Sequence, residues 1–220
     1  MKESIKEYYL NQANDIQHQG IDKIGRNLIH KLMEKPFSKS HNSEKIIELG
    51  ALFGNHRKFI IHDYKEYYET DLLMNQSIAA LQETNLKVKR MKLDAANMNK
   101  INSETFDRLI STCLIVHLED PENVLTEWRR VVTKKGYLSI WVQLEPSLFI
   151  RTVQFLISRR KHKQFYDTHF NEHITYYTRV DHFIKKVFSK DDIQKAYFPF
   201  RFLPWNLNGT AIYTIRKNGS

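Results

Sequence analysis

Short apolar runs separated by polar turns make up much of the hydrophobic pattern of this chain. Runs that are continuous, or that alternate with a period of two, predict buried strands, because neighbouring side chains on a strand point to opposite faces. Ile46 and Ile47 form a continuous run, and residues 137–142 form an alternating one. In chain order, the pattern predicts strands at 45–48, 67–71, 88–93, 106–112, 137–142, 195–200 and 210–215.

A second pattern places apolar residues three or four positions apart and predicts helices. Ile24, Leu28 and Leu32 have this spacing, which gives the segment one buried face, and Pro36 stops it. The predicted helices cover 3–18, 21–34, 75–86, 122–132, 147–158 and 178–188. Strands that alternate with helices indicate an α/β domain, and 220 residues are enough to build one of good size.

The first strand leads into a glycine-bearing turn, which is typical of nucleotide-binding units. Glu48 closes the strand, Gly50 and Gly54 bracket the turn, and residues 55–61 can open a helix. Glycine lets the backbone approach a ligand where a Cβ would collide, and the helix start then faces that ligand. Asp71 ends the second strand about 20 residues after Gly50, the spacing of an acid that binds ribose hydroxyls. Together these features favour nucleotide binding over an ordinary strand–turn–helix.

Asp94 follows the third strand and is expected at the same edge of the sheet. Its carboxylate can accept a hydrogen bond from an exocyclic amine, or it can cap the turn that comes after it. We favour the ligand-binding role, because the two strands before it also end in acids.

Taken in order, these elements resemble class I S-adenosylmethionine-dependent methyltransferases. The resemblance covers about residues 44–142 and rests on Glu48-Leu49-Gly50, Asp71, Asp94-Ala95, the strand at 106 with His117 and Asp120-Pro121, residues 127–131, and Lys135-Gly136. It implies an α/β fold with a Rossmann-like doubly wound sheet of seven strands, closed by a C-terminal antiparallel hairpin and preceded by N-terminal helices. Gly136 is expected to stop the helix before the fifth strand. A dinucleotide oxidoreductase would explain the glycine turn and Asp71, but not the stretch from 106 to 136.

The resemblance also implies S-adenosyl-L-methionine as the cofactor and S-adenosyl-L-homocysteine as its product. The turn with Glu48 would hold the methionine end, Asp71 the ribose, and Asp94 with the Ala95 backbone the adenine. The full predicted cofactor-binding set is Glu48, Gly50, Ala51, Gly54, Asp71, Asp94, Ala95, Cys113 and Tyr9. Leu52 stands where the family usually has a glycine, which could narrow the turn, alter affinity or mark a non-catalytic relative.

We predict a single methyltransferase domain over residues 1–220. Its parts are an N-terminal helical lid at 1–43, a cofactor-binding core at 44–142, a substrate-side insertion at 143–190 and a closing hairpin at 191–220. The N-terminal helices could instead be a plain layer on the sheet. In the lid interpretation, Tyr8 or Tyr9 stacks near the cofactor.

We expect the insertion to determine which acceptor is bound, because its sequence departs from the pattern of the cofactor-binding core. Residues 151–190 carry nine lysines and arginines, three acids and four histidines. This excess of cations could be a solvated surface, a pocket for a phosphate-bearing sugar or nucleotide sugar near Arg159 or Arg160, or a face for nucleic acid or an anionic membrane surface.

Methyl transfer to a hydroxyl needs a base nearby, and histidine titrates in the useful range. His117 follows the fourth strand at the cofactor edge, and Glu172 with His173 lies in the insertion. The predicted catalytic set is therefore His173, His117 and Glu172, with positioning alone as the alternative. No clustered carboxylates indicate a metal, and Cys113 is interpreted as a sheet-edge residue rather than a nucleophile.

Bulk properties narrow the class of protein. The formal net charge of +9 suits an anionic partner or reflects a solvated basic surface. A single cysteine fits a reducing cytoplasm, and neither a membrane span nor a secretion signal is indicated. The predicted function is O-methylation of a small or sugar-type acceptor, phosphate-bearing as one option. A cofactor-binding scaffold without turnover and a nucleic-acid methyltransferase remain alternatives, and the oligomeric state is open.

Overall fold

The computed structural model describes residues 20–51, 56–74, 87–158 and 173–219. Within them, seven strands form one mixed sheet in the order β3-β2-β1-β4-β5-β7-β6. The strands are β1 (Asn42–Leu49), β2 (Asp63–Asp71), β3 (Val88–Lys92), β4 (Phe106–Thr112), β5 (Val132–Gln143), β6 (Asp192–Phe198) and β7 (Thr210–Arg216). The first five pair in parallel, and β7 runs antiparallel to both β5 and β6. The predicted Rossmann-like sheet with its closing antiparallel hairpin is confirmed.

Helices cover both faces of this sheet. In the described residues they are α1 (Gly20–Glu34), α2 (Pro121–Val131), α3 (Leu148–Ser158) and α4 (Tyr177–Val187). The start of α2 follows from its sequence, because the Asp120 side chain accepts from the Asn123 N–H and Pro121 occupies the first turn. The helices predicted at 3–18 and 75–86 lie outside the described residues.

Alternating strand residues supply two separate cores. Ile47 and Leu109 face the larger core, in which α2 and α4 bury Trp128, Ile184 and Phe188. Ile46, Tyr67, Ile110, Trp141 and Ile212 face the smaller core together with Ile29 and Met33 of α1. The sheet is thus covered on both sides, which is why its central strands are so apolar.

A polar network is buried on the α1 side of the sheet. The Arg108 guanidinium is fully buried and donates to both carboxylate oxygens of Glu34, over 3.0 and 2.5 Å. Glu34 also accepts from His56 Nε2 at 2.8 Å, and His56 Nδ1 lies 2.8 Å from His30 Nδ1. Burial by itself would raise the pKa of Glu34, but hydrogen bonds from His56 and Arg108 hold it at about 2. The ion pair is therefore intact at neutral pH.

Two local predictions were wrong. Residues 55–61 were predicted to open a helix, but the described residues 56–62 contain only a 3-10 helix at Arg57–Phe59. The next element is β2, which begins at Asp63, paired in register with Asn42 of β1. The second error concerns Gly136, which does not stop a helix: α2 ends at Val131, and β5 begins with the next residue.

Gly136 lies instead in a bulge of β5. The register passes from Phe106 opposite Val132 to Arg108 opposite Tyr137, so residues 133–136 are accommodated opposite Asp107. A Cβ on Gly136 would lie 2.7 Å from Val132 Cγ1 and 2.9 Å from the Asp107 carbonyl oxygen. Glycine is needed here for close approach of the backbone.

Candidate cofactor and acceptor site

The carboxyl ends of β1 to β4 meet at one edge of the sheet, because these strands are parallel. At the end of β1, Gly50 has a φ of +70°, which favours glycine. A Cβ there would lie 3.2 Å from the Leu114 side chain. The Ala51 N–H donates to the Thr70 carbonyl at 2.9 Å, and the Thr70 hydroxyl donates to the Glu48 carbonyl at 2.9 Å. The start of the turn is therefore tied to the end of β2.

Glu48 lies at this turn with its side chain buried on the α1 side. Its Oε2 accepts from the Tyr67 hydroxyl at 2.8 Å, and the His56 backbone also bonds it. Burial raises the pKa of Glu48 to about 8. Near neutral pH this carboxyl is therefore largely protonated, and it links the end of β1 to the backbone of His56. Leu52 and Gly54 lie outside the described residues.

Asp71 and Asp94 stand at the ends of β2 and β3, as the sequence predicted. Asp71 Oδ1 accepts from the Leu73 N–H at 2.8 Å, and the Asp71 carbonyl accepts from the Leu93 N–H at 3.2 Å. The exposed Asp94 accepts from the Ala96 N–H at 2.9 Å, so it does cap its turn. That bond uses only one carboxylate oxygen and is compatible with a ligand on the other.

Ala95 and Cys113 also lie at this edge of the sheet, in the segments that follow β3 and β4. The Ala95 carbonyl accepts from the buried Trp128 indole N–H at 2.9 Å, which fixes the loop after β3 to α2. Cys113, with a φ of +59°, follows β4 and donates its N–H to the Trp141 carbonyl at 3.0 Å. Burial raises the pKa of the Cys113 thiol to about 11, so the thiol stays protonated and does not act as a nucleophile. The predicted Tyr9 lies outside the described residues.

Two of the predicted catalytic residues are brought together in the structure. The His173 and His117 rings have centroids 4.8 Å apart. His173 Nδ1 lies 2.6 Å from Glu145 Oε2, and the side chains of these two residues are only 2% and 12% exposed. The N–H groups of Ile174 and Thr175 donate to the Val116 carbonyl at 2.9 and 3.0 Å. The backbone thus holds His173 beside the loop that carries His117.

Glu145 is a functional candidate that the sequence interpretation missed. It follows β5, and its Oε1 accepts from Gln143 Nε2 at 3.0 Å. The Cys113 thiol lies 3.5 Å from Gln143 Oε1, so polar contacts run from β4 across β5 to His173. The rule that selected Asp71 and Asp94, an acid directly after a strand, would also have selected Glu145. Glu172, the acid that was predicted, lies outside the described residues.

The cations of the insertion are only partly described, and the two lysines of α4 are paired. Lys185 bonds Asp181 at 2.7 Å, and Lys186 bonds Glu122 at 2.6 Å. Both lie in the last turn of α4, whereas His173 precedes its first turn. These two cations belong to a solvated surface. Arg159 and Arg160 lie outside the described residues.

Metal-binding clusters and membrane-spanning helices are both absent from the described parts of the chain. These parts contain no group of three or more histidine, cysteine or carboxylate side chains placed to hold a metal ion. They also contain no helix long and apolar enough to cross a membrane.

Comparison with known proteins agrees with this geometry. Residues 47–140 match a family model described as a methyltransferase domain, and no curated protein matches the chain. A chain from the complex of the Haloferax volcanii Trm112 methyltransferase activator has a TM-score of 0.67 and 13% identity over 99% of both chains. A Methanococcus maripaludis structure, described as an S-adenosyl-L-methionine-dependent methyltransferase, has a TM-score of 0.66 and 14% identity over 100% of this chain and 96% of that one.

A third structure, a Thermotoga maritima S-adenosylmethionine-dependent methyltransferase named as a candidate histamine N-methyltransferase, has a TM-score of 0.63 and 15% identity. The alignment covers 98% of this chain and 99% of the Thermotoga maritima chain. At these identities the solved structures show the shared fold, while the domain match includes the glycine turn and both edge acids.

Proposed function

We propose that this chain, of which residues 47–140 match a methyltransferase domain, is an S-adenosylmethionine-dependent enzyme that methylates a hydroxyl group of a small or sugar-type acceptor. The observation that carries the choice of acceptor atom is the Glu145–His173 pair at the carboxyl edge of the sheet, with Nδ1 and Oε2 2.6 Å apart. A hydroxyl must lose a proton during transfer, and an oriented imidazole can accept it.

The orientation of His173 follows from its carboxylate neighbour. An ionised Glu145 can only accept a hydrogen bond, so Nδ1 of His173 carries the hydrogen and donates it. In the neutral imidazole, Nε2 then holds the lone pair. Glu145 would also stabilise the imidazolium that forms when Nε2 takes up the acceptor proton. Gln143 fixes the other carboxylate oxygen of Glu145.

The described residues fit the cofactor at the opposite side of this edge. The positive φ of Gly50 and the contact that a Cβ would make with Leu114 give a close backbone approach at the end of β1. In the proposal, Asp71 accepts from the ribose hydroxyls, and Asp94 with the Ala95 backbone binds the adenine. When bound, the cofactor supplies a methyl group on a sulfonium, and its sulfur retains the electron pair of the broken bond.

The chain's own residues then have to position the acceptor and remove its proton. An acceptor hydroxyl held beside His173 would lose its proton to Nε2 as its oxygen takes up the methyl group. The products are a methyl ether, S-adenosylhomocysteine and protonated His173, which balances atoms and charge. Residues at the carboxyl edge of the sheet that align the acceptor with the methyl group would contribute to the rate together with the base.

Two measurements test this function. Calorimetry should detect S-adenosylmethionine and S-adenosylhomocysteine, and saturating S-adenosylhomocysteine should raise the melting temperature. Release of S-adenosylhomocysteine should then be measured over a panel of sugars, sugar phosphates and small alcohols. Binding without release for any acceptor would favour the scaffold alternative, and binding of NAD alone would contradict the assignment.

The acceptor side is tested with His173→Ala and Glu145→Gln. Loss of the base should lower turnover by about 10²–10⁴-fold with little change in S-adenosylhomocysteine affinity. Glu145→Gln should lower turnover less, because the imidazole remains. His182, an exposed residue of α4, provides the control His182→Ala, which should match the wild type. A folded His173→Ala protein with wild-type turnover would eliminate the proposed base and leave His117 to be tested.

A further inference from the structure

Arg26 is a cation of α1 that the contacts described so far leave unexplained. Its guanidinium carbon lies 5.8 Å from the centroid of the Trp141 ring on β5. The Trp141 indole N–H donates to the Thr210 hydroxyl at 3.2 Å, which fixes the ring. Arg26 Nε is buried, and no acceptor for it occurs in the described parts of the chain. A guanidinium has five N–H donors and no acceptor, so its buried donors need oxygen partners.

The position of Arg26 is the carboxyl edge of the sheet. Trp141 is two residues before Gln143, and its carbonyl accepts from the Cys113 N–H. The charges of Arg26 and Glu145 both act on the Cys113 thiol, the first lowering its pKa and the second raising it against the larger effect of burial. Cys113 is therefore near both the arginine on the α1 side and Glu145, the partner of His173.

The charge and the planar donors of the Arg26 guanidinium indicate which kind of ligand it would bind. Among the described ion pairs, Arg108 and Arg129 each have a carboxylate, whereas none is formed by Arg26. A buried, charged N–H without an acceptor is costly, and a planar guanidinium matches the two oxygens of a carboxylate or phosphate. The α4 cations Lys185 and Lys186 cannot serve at this edge, because they are paired in the last turn of that helix.

We propose that Arg26 receives a carboxylate or phosphate oxygen of a ligand bound at the carboxyl edge, opposite the Glu145–His173 pair. This rests on the proposed function, which places both ligands at that edge. The anionic group has two sources with the same chemistry, the α-carboxylate of the cofactor and an anionic group of the acceptor. In the second case the acceptor is an acidic molecule, bound by Arg26 at one end and presented to His173 at the other.

The experiment compares Arg26→Gln and Arg26→Lys with Arg216→Gln as the matched control. Arg216 is an exposed arginine at the end of β7, paired in register with Tyr137 at the opposite edge of the sheet. Binding of S-adenosylhomocysteine and of 5′-methylthioadenosine, which lacks the carboxylate, is measured by calorimetry. Inorganic phosphate and acetate are then titrated against protein saturated with S-adenosylhomocysteine, and the rise in melting temperature is recorded.

The two sources give different results. If Arg26 binds the cofactor, Arg26→Gln should weaken S-adenosylhomocysteine binding by about 10–100-fold and leave 5′-methylthioadenosine unchanged. If it binds the acceptor, both affinities stay at the wild-type value and the stabilisation by phosphate or acetate is lost. Arg26→Lys should lose less than Arg26→Gln in either case, because the charge remains without the fork.

The proposal would be overturned if Arg26→Gln and Arg216→Gln gave the same affinities and the same rises in melting temperature. If Arg26→Gln does not fold, Arg26→Lys decides, and wild-type behaviour of that folded variant toward every probe has the same meaning. Failure of the proposed function would show differently, as absence of S-adenosylhomocysteine binding to the wild type, and the anion titration of the wild type against the Arg26 variants would still test Arg26.

Discussion

Acid should destabilise this protein through the histidine pair that joins α1 to the end of the cofactor turn. Glu34 accepts from His56 Nε2, so in neutral His56 the Nδ1 atom is an acceptor and His30 Nδ1 donates to it over 2.8 Å. Two imidazolium rings would place N–H against N–H. Burial, followed by the charges of His56, Arg26 and Lys58, lowers the pKa of His30 from 6.5 to about 2.

The sign of the effect follows from proton binding. His30 stays neutral in the folded protein, while in the unfolded chain it takes up a proton below about pH 6.5. The unfolded state thus binds more protons between pH 6.5 and 2, and the free energy of unfolding falls as pH falls through this window. One pKa unit corresponds to about 1.36 kcal/mol, so at pH 5 the loss from His30 is about 2 kcal/mol.

Other groups can be separated from His30 by the choice of pH. The lowered pKa of Glu34 contributes stability that is present above its ordinary value of 4.5 and is lost as pH falls towards 2. A comparison between pH 7 and pH 5 therefore leaves Glu34 ionised in both states. Glu48, whose pKa burial raises to about 8, acts in the opposite direction, because the folded protein binds its proton in this window while the unfolded chain does not. The effect of His30 is therefore read as a difference between variants, in which the contribution of Glu48 cancels. The pKa values of His56 and His62 are also lowered by burial, so part of the pH dependence will remain without His30.

The measurement is urea unfolding of the wild type, His30→Asn and His182→Asn at pH 7 and pH 5. Asparagine keeps an N–H donor near His56 but does not titrate. The fall in unfolding free energy between the two pH values should be about 2 kcal/mol smaller in His30→Asn than in the wild type. Exposed His182 should have no such effect. Equal pH dependence in His30→Asn and the wild type would refute this assignment of the buried pair.

Two further variants test the edge and the network. Asp71→Ala should weaken S-adenosylhomocysteine binding by about 10–100-fold, measured by calorimetry, because a carboxylate that accepts from two hydroxyls is removed; unchanged affinity in the folded variant would contradict its ribose role. Arg108→Met should lower the unfolding free energy by about 3–5 kcal/mol, since Glu34 stays buried without the guanidinium that balances its charge. The control Lys186→Met breaks an exposed pair and should cost less than about 1 kcal/mol; equal costs would contradict the importance of burial.

The sequence determined the features that depend on local periodicity. Apolar runs gave the strands and their order along the chain, and helical spacing gave α1, α2, α3 and α4 to within a few residues. Acids that directly follow strands predicted where Asp71 and Asp94 stand, because the carboxyl ends of parallel strands must meet at one edge. The same rule contained the signal for Glu145, although it was not applied there.

The sequence predicted the limits of the strands less accurately where pairing with another strand extends them. Residues 63–66 joined β2 because β1 offers backbone partners from Asn42 onward. Residues 133–136 became a bulge opposite Asp107, because pairing of β4 with β5 starts directly after α2. Such pairings depend on another strand and leave little trace in local spacing.

Contacts between distant residues were decided by the tertiary structure alone. His173 meets Glu145 across 28 positions, and Arg108 meets Glu34 across 74. In the sequence, Glu34 is one more polar residue at the end of a helix, and Arg108 interrupts an apolar strand. Only packing of α1 on the sheet makes them a buried ion pair, since burial removes water and leaves protein groups as the partners of each charge. The hydrophobic pattern of the sequence thus predicted the sheet edge at which the candidate site lies. Tertiary packing determined which side chains contact each other there.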